Sequence, residues 1–249
     1  MRIVLAMILV FAAGPVFADQ VSALIAGTIK ECRGCDLRGA NFKKADLSGV
    51  DLSGADVTGA TFHRAKLRRA VLSDVTAVGT NFNVADLTLA EMSNGDFSRA
   101  MFYAAEMSGA NLSGANLTEA RMQTARLTSA KLPGAVLDRT LMRDAVANNA
   151  DFRNTSLQQT NLNGTSLGRN RFDGATIVNA GFVEAQISRA SFDNAMISLT
   201  DFLAADLRRV SVTGATLIGN RFTRAATRDV DFSQATMKNN IMANGRLQE

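Results

Sequence analysis

Residues 35–69 read CDLRG ANFKK ADLSG VDLSG ADVTG ATFHR AKLRR. A five-residue frame, with a small residue first and a large apolar residue third, runs on to the C-terminus, as in ATLIG NRFTR AATRD VDFSQ ATMKN at 215–239. Ala fills 27 of the 43 first places, and every Phe beyond residue 18 stands at a third place. These third-place centres run from Leu37 to Leu247, with Ala147 and Thr227 as the weak ones. A fixed internal period of this kind outranks local helix or strand signals. Inward positions separated alternately by two and three residues fit neither a helix of 3.6 residues per turn nor the strict alternation of a strand. The chain must therefore turn once per pentad.

The last two places supply the corners. Ser48-Gly49, Thr58-Gly59, Ser113-Gly114 and Thr213-Gly214 end in glycine, and Pro133-Gly134 is a favoured type II turn pair. Sorting the centres into columns of every twentieth residue places Phe42, Phe62, Phe82 and Phe102 on one side, with Phe182, Phe202 and Phe222 further along it. Phe152, Phe172, Phe192 and Phe232 fall in the column ten residues away. With Phe97 the one exception, large rings restricted to two opposing sides suit a narrow square core with twenty residues per coil.

These units resemble the pentapeptide-repeat family, whose A-[D/N]-L-x-x pentads build a right-handed quadrilateral β-helix. The resemblance covers residues 32–247 and implies an all-β solenoid, with function left open because folds host many functions. At the usual inter-strand spacing, 43 pentads at four per coil imply about 11 coils and a rod on the order of 50 Å long.

Outside the frame lie two short segments. Residues 1–18 read as a signal peptide: Arg2, an apolar run from Ile3 to Ala13, then Gly14-Pro15 and Val16-Phe17-Ala18. The run is too short to span a bilayer, so a soluble exported chain is expected, periplasmic if the source is Gram-negative and otherwise secreted. Residues 19–31 carry Val21, Leu24, Ile25 and Ile29 at helical spacing, which predicts a short capping helix across the first coil of the 32–249 repeat domain. The C-terminal residues show no comparable lid, and an uncovered edge there would permit end-to-end homodimers.

Composition excludes more than it suggests. The formal net charge is +4, and loss of Arg2 with the signal leaves 26 Lys and Arg against 23 Asp and Glu, a net of +3. That is too weak to announce a nucleic-acid partner. The two cysteines, Cys32 and Cys35, occupy inward places in the first coil, as a short-loop disulfide or as small buried apolar side chains. Two thiols cannot complete a zinc site, and the βαβ context of a redox pair is missing. The single histidine, His63, stands at a corner among basic neighbours, where it cannot serve a triad. Second-place acids such as Asp36, Asp46, Asp51 and Asp206 are explained by the frame, since outward carboxylates there can accept neighbouring backbone amides. No catalytic group, metal site or cofactor is expected.

Two surface features remain. Arg169, Arg189 and Arg209 lie twenty residues apart and should stack along one corner, with Arg208 and Arg228 in the adjoining column, a ladder suited to anionic groups. Val178, Met196, Leu199, Leu203 and Ile218 are apolar at outward places and form a candidate partner surface. Between Val136 and Asn149 the pattern weakens, which predicts a deformed coil or bulge. The favoured function is a non-enzymatic exported scaffold that meets another macromolecule through rigid outer faces; the alternative is a binder of an anionic envelope polymer. The DNA-mimic, topoisomerase-binding role found within the resembling family is disfavoured by the signal peptide and the basic charge.

Overall fold

The computed structural model describes residues 14–248, with side chains from Asp19 onward. Along the repeat, second-place residues pair in parallel with the residue twenty positions later, from Glu31 with Asp51 to Arg221 with Ile241. Four such columns per twenty residues define four flat sides, and the third-place residues fill the interior between them.

Backbone hydrogen bonding explains why the pentad takes this shape. Leu37 N–H donates to Asp56 C=O of the next coil (2.7 Å), Asp56 N–H donates back to Cys35 C=O (2.9 Å), and Gly39 N–H donates to Thr58 C=O (2.9 Å). The first-place amide closes the corner, as Ala40 N–H donates to Leu37 C=O (3.1 Å). The fourth-place amide is taken by a side chain: Asp51 Oδ1 accepts from Ser53 N–H and Asp56 Oδ1 from Thr58 N–H, both at 2.9 Å. In pentads with Asp or Asn in second place all five amides are thereby satisfied, so that residue is part of the scheme.

The fifth place adopts positive φ at every pentad from Gly34 to Asp229, at Gly39 (65°) and Gly49 (69°) but also at Lys44, Arg64 and Val84. A β-branched residue at φ 59° is the costliest case, because its Cβ crowds the backbone in the left-handed region. Val84→Asn is expected to raise stability by about 1 kcal/mol, measured as a shift of the urea midpoint.

Ring stacking fills the core. Phe42 and Phe62 lie 4.8 Å apart by ring centroids, Phe62 and Phe82 5.0 Å, and Phe82 and Phe102 5.1 Å, all nearly parallel. On the opposite side Phe152, Phe172 and Phe192 repeat the arrangement at 4.9 and 4.8 Å. The two columns meet edge to face, as at Phe172–Phe182 (6.2 Å).

Continuous sheet occurs where one corner opens. The strands β1 (Ser156–Gln158), β2 (Thr176–Val178), β3 (Met196–Ser198), β4 (Thr216–Ile218) and β5 (Thr236–Lys238) form a five-stranded parallel sheet. This sheet makes four coil-to-coil steps on one side, and single bridges at the same twenty-residue interval carry the winding elsewhere, from Glu31 to Ile241. At two of these corners a buried asparagine one coil on bridges the opened turn. Asn220 Oδ1 accepts from Thr200 N–H (2.9 Å) while its Nδ2 donates to Ile197 C=O (2.9 Å), bridging the two groups a tight turn would join directly. Asn240 repeats this with Asn220 N–H and Leu217 C=O.

Several expectations need correction. Residues 136–149 are not deformed: Val136 pairs with Ser156 and Val146 with Ser166 in register, Asn149 tolerates the left-handed corner, and Ala147 is fully buried. Irregularity lies instead at 226–235, where a short 3-10 helix, Phe232–Gln234, interrupts the winding and Gly214 N–H bonds to Gln234 C=O, one residue out of register. Leu247, placed among the core centres, is 60% exposed. It belongs to β7 (Leu247–Gln248), which pairs antiparallel with β6 (Asn240–Ile241) and so occupies one side of the last coil's free edge. The C-terminal end is thus partly covered where no lid was expected.

At the other end, α1 (Gly14–Ile25) begins earlier than residue 19, with Gly14-Pro15 at its start, where proline is tolerated. Leu24 is buried and Val21 and Ile29 pack against the core, as expected of a cap, but Ile25 is exposed. Residues 1–13 of the expected signal lie outside the described residues.

Surface carboxylates also contribute. Arg38, by side-chain hydrogen bonding, holds Asp36 down at about 2, and Asp46, Asp151, Asp206 and Asp231 are lowered chiefly by hydrogen bonds from Ser48, Arg153, Arg208 and Ser233. A carboxyl whose folded pKa is depressed contributes stability above its unfolded value near 3.9 and loses it as pH falls through the folded value. Stability should therefore be flat above about pH 5 and fall between the ordinary carboxyl range and about 2, measured by thermal melts against pH.

Candidate functional site

At one corner the fourth places are Asn148, Gly168, Ser188, Arg208 and Arg228, and the fifth places are Asn149, Arg169, Arg189, Arg209 and Asp229. Amide bonds of 3.0 Å from Arg169 to Ser188, Arg189 to Arg208 and Arg209 to Arg228 hold these columns in stack. The expected ladder is therefore assembled, with its three fifth-place arginines at φ 59°, 62° and 59°. A groove of about 470 Å³ runs along it, lined by Asn148, Gly168, Ser188 and Arg228 together with the ladder arginines. Gly168 donates its amide to Asn148 Oδ1 (2.8 Å), and a Cβ there would stand 3.2 Å from that oxygen.

The five guanidinium groups differ in their partners. Arg208 is held by Asp206 through two bonds of 2.8 and 2.7 Å, which lowers the Asp206 carboxyl and raises Arg208. Arg209 and Arg228 share Asp229 at 3.4 and 3.7 Å. Arg169 and Arg189 make no ion pair among the described residues.

Half a circuit away, the sheet β1–β5 presents the apolar residues. Met196 is 55% exposed, Leu199 64% and Ile218 39%, with Val178 half-buried beside them. Leu199 leans over Gly219, where an added Cβ would lie 3.1 Å from its Cδ2. Leu203 does not join this group; it is half-buried on the next corner. A second set, Val84, Leu89 and Tyr103, is also exposed and escaped the sequence reading, although apolar residues in fourth and fifth places were the available signal.

The remaining candidates are structural. Cys32 and Cys35 form a disulfide beneath the first coil, with Cys32 buried. His63 is half-buried at its corner, and among the described residues no group of three or more His, Cys, Asp or Glu could hold a metal. No described helix is long and apolar enough to cross a membrane.

The family profile described as pentapeptide repeats matches eight copies, over residues 31–64, 65–102, 105–144, 120–164 and 150–194. The chain belongs to the pentapeptide-repeat family. Among solved structures, this pentapeptide-repeat protein is similar to HetL of the cyanobacterium Nostoc sp. strain PCC 7120, a protein involved in heterocyst differentiation regulation. The two share 25% identity over 92% of this chain and 98% of HetL, with a TM-score of 0.74. QnrB1, a plasmid-mediated fluoroquinolone resistance protein, matches at 19% identity over 72% of this chain and 87% of its own, with a TM-score of 0.45. Rfr23 of the cyanobacterium Cyanothece 51142 matches at 23% identity over 61% and 99%, with a TM-score of 0.27. No curated protein matches the pentapeptide-repeat chain.

Proposed function

We propose that this protein is a non-enzymatic, exported scaffold that binds another protein through the flat face of its continuous sheet. The observation that carries this reading is the row of exposed apolar side chains on ordered backbone: Met196 and Ile218 stand on strands locked in register through Met196 with Thr216 and Ser198 with Ile218, and Leu199 stands at the corner that follows β3. A face that is apolar and carried on preordered backbone is suited to partner binding. The interior is filled by rings and aliphatic groups, so the available surfaces are outer faces and corners. Export rests on the apolar, Arg2-led segment ending at Ala18.

Affinity capture from an envelope extract, with wild type beside Leu199→Asp/Ile218→Asp, tests the reading. A partner retained by wild type and lost by the variant is expected. Equal retention by both would remove the sheet face, and a mature chain still carrying residues 1–18 would remove export.

A further inference from the structure

We propose that the groove beside Arg169 and Arg189 binds a short linear anion made of two or more linked phosphate groups. This site stands on the corner opposite the apolar face and does not depend on the scaffold reading.

The argument begins with a contrast between columns. On several columns opposite charges meet across one coil: Arg99, Glu119 and Arg139 form one such run with contacts of 3.0 Å on each side of Glu119, and Arg221 is held by Asp201, whereas Lys44 and Arg64 repeat like charge only as a pair. The column of Arg169, Arg189 and Arg209 places like charges in succession, at a coil spacing of about 4.8 Å. Among the described residues its only carboxylate partner is Asp229, at the far end and shared with Arg228. Two adjacent guanidinium groups are thus left without an anion.

The adjoining column supplies room at the same level. Gly168 and Ser188 are the smallest fourth-place residues of that corner and lie next to Arg169 and Arg189, while Arg208 and Arg228 also line the groove. The side chains are therefore smallest beside the unpaired charges, and further positive charge lines the same groove. Its volume, about 470 Å³, falls in the range of small-ligand sites.

The chemistry of the donors selects the ligand. Guanidinium groups offer planar, paired N–H donors that match the oxygens of phosphate or sulfate. Two such groups one coil apart form two subsites, so a ligand with two linked anions gains from both at once. Charges one coil apart, about 4.8 Å, suit anions joined through a single oxygen, whereas the sulfates of a sugar polymer are spread over whole rings.

Titration calorimetry at low salt with inorganic tripolyphosphate, orthophosphate and a heparin tetrasaccharide provides the test. Tripolyphosphate is expected to bind at least about tenfold more tightly than orthophosphate. Arg169→Gly/Arg189→Gly should lose at least about tenfold of that affinity. Glycine suits both backbone conformations, so the thermal midpoint should be no lower than wild type. Lys44→Gly/Arg64→Gly removes the same charge from another corner, at φ 60° and 58°, and should change binding less than about twofold. The proposal is overturned if tripolyphosphate does not bind, if orthophosphate binds as tightly, or if the two variants lose affinity equally. Tighter binding of the tetrasaccharide than of tripolyphosphate would overturn the phosphate chain in favour of a sulfated sugar.

Discussion

Phe82→Ala is expected to cost about 3–5 kcal/mol, among the largest effects of any single truncation in this chain. Phe82 is fully buried, lies between Phe62 at 5.0 Å and Phe102 at 5.1 Å, and meets Phe97 edge to face at 6.2 Å. Its removal leaves a cavity that coils fixed above and below cannot collapse to fill. Because each coil contacts only its neighbours, the loss should appear as a separable unfolding step at the middle of the first Phe stack. Phe232 offers the comparison: it is half-buried near the last coil and meets Phe222 alone at 5.7 Å. Phe232→Ala should cost about a third as much. Urea unfolding followed by circular dichroism measures both, and equal costs would contradict a core whose cohesion comes from stacked rings.

Asn220→Asp should destabilise by about 3–5 kcal/mol at neutral pH, since it leaves an uncompensated charge in the interior. Asn220 is fully buried, and its Nδ2 donates to Ile197 C=O and to Asn240 Oδ1. A carboxylate keeps the acceptor for Thr200 N–H but turns a donor into a second anionic oxygen facing two acceptors. Burial raises the folded pKa of the introduced carboxyl above its unfolded value near 3.9. The penalty is then full above the folded value and shrinks as pH falls through it, because the protonated acid again donates. The variant should gain stability on mild acidification over a range where wild type is flat, measured by parallel thermal melts. Loss of stability by the variant over that range would show that Asn220 does not bridge these groups.

The residues that repeat most strictly were the most legible. Ala in first place and Leu or Phe in third identified the interior, and the twentieth-residue columns identified which rings touch, because burial at a fixed period leaves no competing arrangement. The arginine ladder was readable for the same reason: a residue twenty positions on must lie one coil above. What could not be read was set by interactions outside the frame. Leu247 has the right residue type at the right interval, yet chain reversal at Gly245 and pairing of β7 with β6 take it out of the core. Asn220 and Asn240 look like faults in the first-place pattern, whereas each bridges the opened turn one coil back. Sorting the first places into columns would have shown Thr140, Thr160, Thr200, Asn220 and Asn240 on one corner. Which arginines lack partners depends on side-chain reach to Asp206 and Asp229, and the pentad period says nothing of that.

The central claim is that residues twenty apart lie directly above one another on a square coil. Asp96 and Asn116 pair across adjacent coils, whereas Asn111 lies on the neighbouring side. Adjacent parallel strands hold paired Cα atoms about 4.8 Å apart, within the span a disulfide bridges. Under mild oxidation Asp96→Cys/Asn116→Cys should cross-link almost completely within the monomer, and Asp96→Cys/Asn111→Cys should remain reduced. Cross-linking of the second pair at the rate of the first, or failure of the first, would contradict the twenty-residue coil.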